Sequence, residues 1–396
     1  MNVPKLRFKE FNDDWKNYIL NEESDVRDGT HDSPKYIDDG YPLVTSKNLN
    51  DDGTLDLDNV SYLKQEDFDK INQRSKVDVG DILFGMIGTI GKPVRIMRDD
   101  FAIKNVALIK EKGLIKNDYL IHYLHSSNIT KQFANNMDGG TQKFIALDKI
   151  RKLKINMPSR EEQKKIVKLF DLLDEKIKLQ ARKIEDLKLF KKGLIQKIFS
   201  SNNLSEVKIK DLGTIITGTT PSKENKNYWN DGTIAWITPT DINYERDISN
   251  SITSLTKEGL KKGRFVPKNS ILVTCIASIG KNAVIKVDGS CNQQINAIIP
   301  NNKFNSNYIY YLMEYISPYL QSIAGTSATA IVNKETFERI KVKVHNYNDQ
   351  SRIDKYLSSV ETKILLEDKL LNKLIKLKKG LMQSMFVWTL NYSSKC

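Results

Sequence analysis

Apolar residues in the second quarter of the chain recur in alternating steps of four and three. Ile166, Phe170, Leu173, Ile177, Ile184, Leu187, Leu194 and Ile198 follow this spacing, with Gln180 and Lys191 at the same phase. Near the other end the alternation returns at Ile353, Leu357, Val360, Ile364, Leu371, Leu374, Leu381 and Met385, with Glu367 and Lys378 in the matching places. Such a rhythm held over several heptads predicts a long helix carrying a coiled-coil seam. Two matching seams in one chain predict that the helices pack on each other, and the polar Gln180 and Glu367 would help set their register. Pro158 stands just before the first stretch, where a helix start is expected. From Ile166 to Ile198 the axis runs roughly 48 Å at ~1.5 Å per residue.

Outside the seams the pattern changes to short β-runs broken by Gly, Asn, Asp and Pro. Asp81 to Ile87 and Lys92 to Met97 read as strands around a glycine turn, as do Ser270 to Ile276 and Asn282 to Val287. Tyr119 to Ser126 and Tyr308 to Tyr315 read as helices. A Gly/Thr-rich loop follows each, Gly139-Gly140-Thr141-Gln142-Lys143 and Gly325-Thr326-Ser327-Ala328-Thr329. The expected class is α+β, two globular parts each feeding one long helix.

The two halves are copies. Lys191-Lys192-Gly193-Leu194-Ile195-Gln196-Lys197-Ile198-Phe199 recurs as Lys378-Lys379-Gly380-Leu381-Met382-Gln383-Ser384-Met385-Phe386. Ile87-x-x-Ile90-Gly91-Lys92 recurs as Ile276-x-x-Ile279-Gly280-Lys281. Val44-Thr45-x-Lys47-Asn48-Leu49 lines up more loosely with Ile237-Thr238-x-Thr240-Asp241-Ile242. The distance from a motif to its copy shrinks slightly along the chain, which is what loops of unequal length produce in a duplicated unit.

Composition then narrows the chemistry. The 396 residues hold 62 Lys+Arg against 49 Asp+Glu, a net charge of +13, which makes nucleic acid the first candidate partner. Residues 160–200 and 350–387 carry nine of those thirteen charges, so any footprint on the globular parts must consist of local patches. Met1 to Phe11 has no apolar core of a secretory signal, and the longest apolar runs, such as Ile271 to Ile279, are about half the ~20 residues of a membrane span. A cytoplasmic chain with no membrane contact is expected. Cys275, Cys291 and Cys396 are too few and scattered for a disulfide framework or zinc cluster. Gly88-Thr89-Ile90-Gly91-Lys92 suggests a phosphate loop, but Met86 stands where its first glycine belongs and Pro93 where Ser or Thr must ligate magnesium. His122 and His125 lack a third ligand nearby, and no dinucleotide fingerprint or Asn-Pro-Pro-aromatic box is present. No catalytic residue and no metal site is assigned, and the chain is not expected to be an enzyme by itself.

Several of these features occur together in a known family. Pro4-Lys5-Leu6-Arg7-Phe8-x-x-Phe11 with Trp15, Gly29-Thr30-His31-Asp32-Ser33-Pro34, Gly218-Thr219-Thr220-Pro221-Ser222, both Ile-Gly-Lys turns and both Lys-Lys-Gly-Leu helix ends resemble the DNA specificity subunit of Type I restriction-modification systems. The resemblance covers nearly the whole chain. It implies a tandem repeat of two α/β target-recognition domains, residues 1–158 and 201–349, with long spacer helices at 159–200 and 350–390 packed as an antiparallel coiled coil and a tail at 391–396. It also implies a non-catalytic subunit that binds double-stranded DNA at a bipartite asymmetric site, one half-site per domain. Its expected partners are two methyltransferase subunits and the restriction and translocase subunits, which bring S-adenosylmethionine, ATP and Mg; this chain is expected to bind none of them.

A DNA reader needs Lys and Arg for phosphates and amides, hydroxyls or guanidinium groups for base edges. In the first domain Lys35, Tyr36, Thr45, Ser46, Lys47, Asn48, Lys92, Arg95, Gly140, Thr141, Gln142 and Lys143 supply that mixture. In the second, Thr219, Thr220, Ser222, Lys223, Tyr228, Trp229, Thr238, Thr240, Asp241, Lys281, Thr326 and Ser327 supply it. A coiled-coil adaptor with basic protein-binding domains, or a nucleic-acid-modifying enzyme, would share the composition but would not show sequence-dependent DNA binding in the isolated chain or would show activity there.

Overall fold

The structure is a computed structural model, described for residues 3–88, 90–134, 144–201, 204–243, 245–324 and 330–386. It divides into two compact units, residues 1–180 with 370–396, and residues 181–369. Both unit boundaries fall inside the long helices, so each unit takes one half of each helix rather than ending where a helix begins.

In the first unit the strands are β1 (Lys16–Ile19), β2 (Ser24–Asp28), β3 (Tyr41–Val44), β4 (Ser61–Leu63), β5 (Ile82–Gly85), β6 (Gly91–Arg95), β7 (Ala102–Ile103), β8 (Val106–Glu111) and β9 (Lys154–Met157). The helices are α1 (Leu20–Glu23), α2 (Gln65–Ser75), α3 (Asn117–Leu124), α4 (Ser127–Ala134), α5 (Leu147–Arg151) and the start of α6 (Arg160–Phe199). A four-stranded sheet of order β2-β8-β5-β6 is antiparallel throughout, and β4-β3-β7 and β1-β9 form two smaller sheets. The main sheet is buried on both faces. Ile82, Phe84, Ala107 and Ile109 point to a core shared with Tyr119, Tyr123, Phe170 and Phe386, while Leu83, Val106 and Leu108 point to Val44, Ile96 and Phe101. That is why β5 reads as a continuous apolar run and not as an alternation.

The second unit repeats the plan with β10 (Ser205–Lys208), β11 (Gly213–Thr217), β12 (Ile234–Ile237), β13 (Asp247–Ile248), β14 (Ser254–Leu255), β15 (Ile271–Thr274), β16 (Asn282–Ile285), β17 (Gly289–Cys291), β18 (Ile295–Pro300) and β19 (Lys341–Val344). Its helices are α7 (Lys257–Lys262), α8 (Ser306–Ile323), α9 (Lys334–Arg339) and α10 (Tyr347–Met385), which ends in the first unit. The register is that of the first unit: Ile82 faces Ile109 as Ile271 faces Ile298, in the same alignment that superposes the two Ile-Gly-Lys turns. Two differences stand out. β13 adds a fifth strand, parallel to β16, and the pair α3 and α4 is replaced by the single 18-residue α8.

Each of the twenty positions of the four-three alternation is buried or half-buried. Within the first unit Phe170 stacks on Phe386 at 5.7 Å and Lys378 bonds Asp174; within the second, Lys183 meets Glu367 and Lys191 meets Glu361, each at 2.6 Å. In both units an early α6 position faces a late α10 position, or the reverse, so the helices run antiparallel there. The seam lysines 191 and 378, unexplained by hydrophobic spacing, make the same ion pair twice. No helix among the described residues is long and apolar enough to cross a membrane.

Candidate nucleic-acid interface

The antiparallel ladders bring the singled-out loops to one edge of each main sheet. Asp28 at the end of β2 faces Ala107 at the start of β8, and Gly85 at the end of β5 faces Val106. The loops at 29–36, 45–48, 86–88 with 90–91, and 104–105 therefore share that edge in the first unit. The equivalent edge of the second unit gathers 218–222, 238–242, 275–281 and 292–294, because Thr217 faces Asn296 and Thr274 faces Ile295.

Two glycines are required there. A Cβ on Gly29 would lie 2.4 Å from the Ile103 carbonyl oxygen, and one on Gly218 2.1 Å from that of Asn292, so the Gly-Thr loops can press on the strand behind them only without a side chain. The Ile-Gly-Lys turns are β-hairpin tips with left-handed backbone, φ 90° at Gly91 and 85° at Gly280. Beside each tip a bridge joins matching places of the two units, Ile87 to Phe144 and Ile276 to Ile331.

Several predicted contacts turn out to be structural. Ser46 and Asn48 are buried: the Ser46 hydroxyl donates to the Asn105 carbonyl at 3.1 Å, and the Asn48 amide donates to the carbonyls of Asp56 and Asn59. The Thr45 amide and hydroxyl donate to Asn48 Oδ1 at 2.9 Å, and those of Thr238 to Asp241 Oδ2 at 2.8 and 2.6 Å. The Thr-x-x-Asn/Asp similarity is thus a turn cap, since a side-chain oxygen satisfies amides that the turn leaves unpaired. Arg95 pairs with Ile82 at the opposite end of the sheet and bonds Asp118 at 2.6 Å, so it does not belong to this edge. Lys92 reaches the edge but is held by Asp51 at 2.9 Å. Trp229 and Trp236 meet edge to face at 5.0 Å and donate their indole N–H groups to the carbonyls of Ser222 and Thr219, pinning the Gly218 loop from behind. Tyr228 is half-buried, with its carbonyl accepting from Thr256, and the Thr219 hydroxyl is buried with no partner among the described residues.

Lys35, Tyr36, Lys47, Ser222, Lys223, Thr240 and Lys281 remain exposed, with Thr240 within 2.7 Å of the Thr238 hydroxyl. Gly140, Thr141, Gln142, Lys143, Thr326 and Ser327 lie outside the described residues, as does Cys396. Cys275 and Cys291 are buried, and burial pushes their thiols up to about 11 and about 12. Among the described residues no three His, Cys, Asp or Glu side chains gather as a metal site.

Sequence reasoning missed four residues on these edges: Asn105, Gln293, Arg264 and, as an interface residue, His31. Asn105 and Gln293 sit in the short connection that enters β8 or β18, and Arg264 donates to the Thr217 carbonyl at 2.8 Å. His31 bonds Asn105 Oδ1 through Nδ1 at 2.8 Å and Asp28 Oδ2 through Nε2 at 2.9 Å, and these two contacts raise its pKa. The amide-rich run Asn292-Gln293-Gln294 was the available signal for the second edge. The sequence of the first edge gave none, because Asn105 depends on a left-handed φ of 55°.

The profile of the family described as Type I restriction modification DNA specificity domain matches residues 12–189 and again 202–376. The chain belongs to this family. Its role is that of a DNA-recognition subunit in such a system. The MjaIX specificity subunit of a Type I restriction enzyme from Methanocaldococcus jannaschii is 36% identical over 168 residues, 41% of this chain and 38% of that one. The putative MjaX specificity subunit from the same organism is 24% identical over 415 residues, 96% of this chain and 95% of that one. A chain solved in work on assembly and conformational transition of the Type I R-M system shares the fold, with TM-score 0.64 at 15% identity, covering 95% of this chain and 98% of that one.

Proposed function

We propose that the chain is the non-catalytic scaffold of a Type I restriction-modification complex and reads a bipartite asymmetric site in double-stranded DNA. Each unit reads one half-site with its loop edge, and the α6 and α10 seam fixes the spacer between the halves. The observation that carries this reading is the repeated sheet edge. Its frame is kept at matching positions, with Gly29 and Gly218 under the same steric limit, while the exposed side chains differ. A duplicated frame with different exposed chemistry suits two different half-sites. Lys35 and Lys47 in the first unit and Lys223 and Lys281 in the second would meet phosphates, which position the protein, and the amides beside them would meet bases.

In this proposal two methyltransferase subunits and the restriction and translocase subunits assemble on the chain and hold S-adenosylmethionine, ATP and magnesium. The Gly88–Lys92 tip is poorly suited to a nucleotide phosphate, because Lys92 is engaged by Asp51. Exposed Leu172 and Leu179 on the first half of α6 and Leu365 and Leu366 on α10 offer apolar surface suited to a protein partner.

Methylation mapping in cells carrying the whole system tests the reading. Exchanging residues 20–150 for another recognition domain is expected to change one half-site only. Inserting one heptad after Leu173 and a matching one after Val360 is expected to lengthen the spacer and leave both half-sites alone. Two altered half-sites in the first case, or an unchanged spacer in the second, would overturn it. Recovery of protein partners with DNA binding blind to sequence would favour an adaptor instead.

A further inference from the structure

Both sheet edges hold an amide side chain by its oxygen. In the first unit Asn105, between β7 and β8, adopts φ 55°, a conformation asparagine tolerates better than most residues. Its Oδ1 faces His31 Nδ1, while His31 Nε2 faces the nearly buried Asp28 carboxylate, which Arg74 also binds. Both ring nitrogens thus meet acceptors, an arrangement fully satisfied only by the imidazolium form. Asn105 Nδ2 has no partner among the described residues, so its two N–H donors are free.

The second unit has a related arrangement, shifted by one residue and with different chemistry. When the units are aligned on their Ile-Gly-Lys turns, Thr220 occupies the place of His31, and Gln293 and Gln294 those of Lys104 and Asn105. The Thr220 hydroxyl donates to Gln293 Oε1, and Asn292 Nδ2 donates to Gln294 Oε1 at 2.9 Å. Gln293 is exposed, with no partner for Nε2 among the described residues.

We propose that Asn105 and Gln293 are specificity-determining residues of the two half-sites, each presenting amide N–H donors to an acceptor on a base edge, and that His31 and Thr220 position them. The base-edge groups of that class in the major groove are N7 of either purine, O6 of guanine and O4 of thymine. The inference rests on the half-site reading above and deepens it. It also separates the units, because the first amide is held by a titratable cation and the second by a neutral hydroxyl. The charged groups around His31 are Asp28 from β2, Arg74 from α2, Lys104 from the segment entering β8, whose ammonium donates to Ser33, and Asp32 in its own loop. Asp28 favours the cation and Arg74 opposes it. Loss of the His31 proton removes one of the two donors and frees the amide to turn. Affinity for the first half-site is therefore expected to fall by up to about tenfold per pH unit above the histidine's pKa, the limit for a single linked proton.

The test is selection of the full-length chain on a pool of randomised duplexes at about pH 6 and about pH 8, on either side of the ordinary histidine range. The wild type is expected to select two half-sites, with only the first weakening at the higher pH. Asn105→Gly, which keeps the left-handed backbone, is expected to relax one base of the first half-site by roughly tenfold or more. The intact second half-site then reports that the chain is folded. Gln293→Ala should do the reverse, relaxing one base of the second half-site only. His31→Gln retains a donor without a titration, so it should keep the selected bases and lose the pH dependence. Should Asn105→Gly select neither half-site, the isosteric Asn105→Asp decides: a switch at that base from an acceptor to a donor supports the proposal. An unchanged base in the asparagine variants, an equal pH effect on both half-sites, or a pH effect surviving in His31→Gln overturns it. A wild-type chain that selects no sequence at all overturns the specificity reading itself and this proposal with it.

Discussion

The two units share a frame and differ in how the domain body grips the helix pair. In the second unit Lys191 contacts Glu361 at 2.6 Å and Glu314 at 2.8 Å and lies 5.5 Å from the ring centres of Tyr310 and Tyr311. Glu361 also accepts from Tyr311 at 2.8 Å and from Arg246 at 3.1 Å, and Arg246 in turn bonds Ser358 and Asp247. The matching lysine of the first unit, Lys378, bonds Asp174, and the place of Tyr311 is taken by His122, which bonds Asp171 at 3.0 Å. The second unit therefore has a bonded, half-buried charge network where the first has two pairs that share no bond. Duplication preserved the interhelical ion pair because both helices must keep their register. It left each domain body free to find its own way of attaching.

Removing each seam lysine would sharpen that contrast most. Lys191→Ala leaves Glu361 paired with Arg246 but Glu314 with no ion-pair partner among the described residues, in a partly buried site, and a cost of about 3 kcal/mol is expected from the uncompensated charge. Lys378→Ala leaves Asp174, whose side chain is 43% exposed, in contact with water, and about 1 kcal/mol or less is expected. Thermal unfolding of the two variants should separate them clearly; equal losses would mean that the network adds nothing to the single pair. The Glu314 carboxyl sharpens the test. Burial pushes it up, against the pull of Lys191. A carboxyl raised in the folded state contributes stability that is fully present below its unfolded pKa and is lost as the pH rises through its folded one. Without Lys191 that rise should be larger, so the Lys191→Ala defect should shrink on acidification.

The loop edges provide a smaller break. Gly29→Ala and Gly218→Ala each place a Cβ against backbone carbonyls of the strand behind, which cannot give way as a side chain would. A cost of about 1–3 kcal/mol is expected for each, the range for overpacking. Because the frame is the same in both units, the two costs should agree to within about 1 kcal/mol, and each variant should weaken binding to its own half-site only. Unequal effects, measured by thermal unfolding and by half-site selection, would mean that the loops are not equivalent.

The seam was fully legible in the sequence because a helical period is local: all the positions assigned to it are buried or half-buried. The repeat was legible too, since Lys191 and Lys378 stand in the same motif. What the lysines do was not, because Glu361 and Asp174 lie 170 and 204 residues from them in sequence. The edge residues were partly legible. Exposed Lys47, Lys223 and Lys281 stand where a basic patch was expected, but Ser46, Asn48, Thr45, Thr238 and Asp241 are types that serve equally as base readers and as turn caps. Only the hydrogen-bond geometry separates those uses. Asn105 escaped notice for a related reason: what marks it is a backbone angle and a histidine 74 residues away.

The smallest expected effect uses that histidine to separate the units by stability alone. The His31 pKa is raised in the folded chain, first by its bond to Asn105 and then by Asp28. A histidine raised on folding contributes stability that is fully present below its unfolded pKa and is lost as pH rises through the folded value. Its ring is 60% exposed, so solvent screening keeps the contribution small. His31→Thr copies the residue that the second unit has at this place, Thr220. The unfolding temperature of the wild type is therefore expected to exceed that of His31→Thr in mild acid, and the two should converge as the pH rises through neutrality. The reciprocal Thr220→His meets no carboxylate at its second nitrogen, because Thr217 stands where the first unit has Asp28. It should gain no such acid stabilisation; if it gained as much as His31 supplies, Asp28 would not be what distinguishes the first edge.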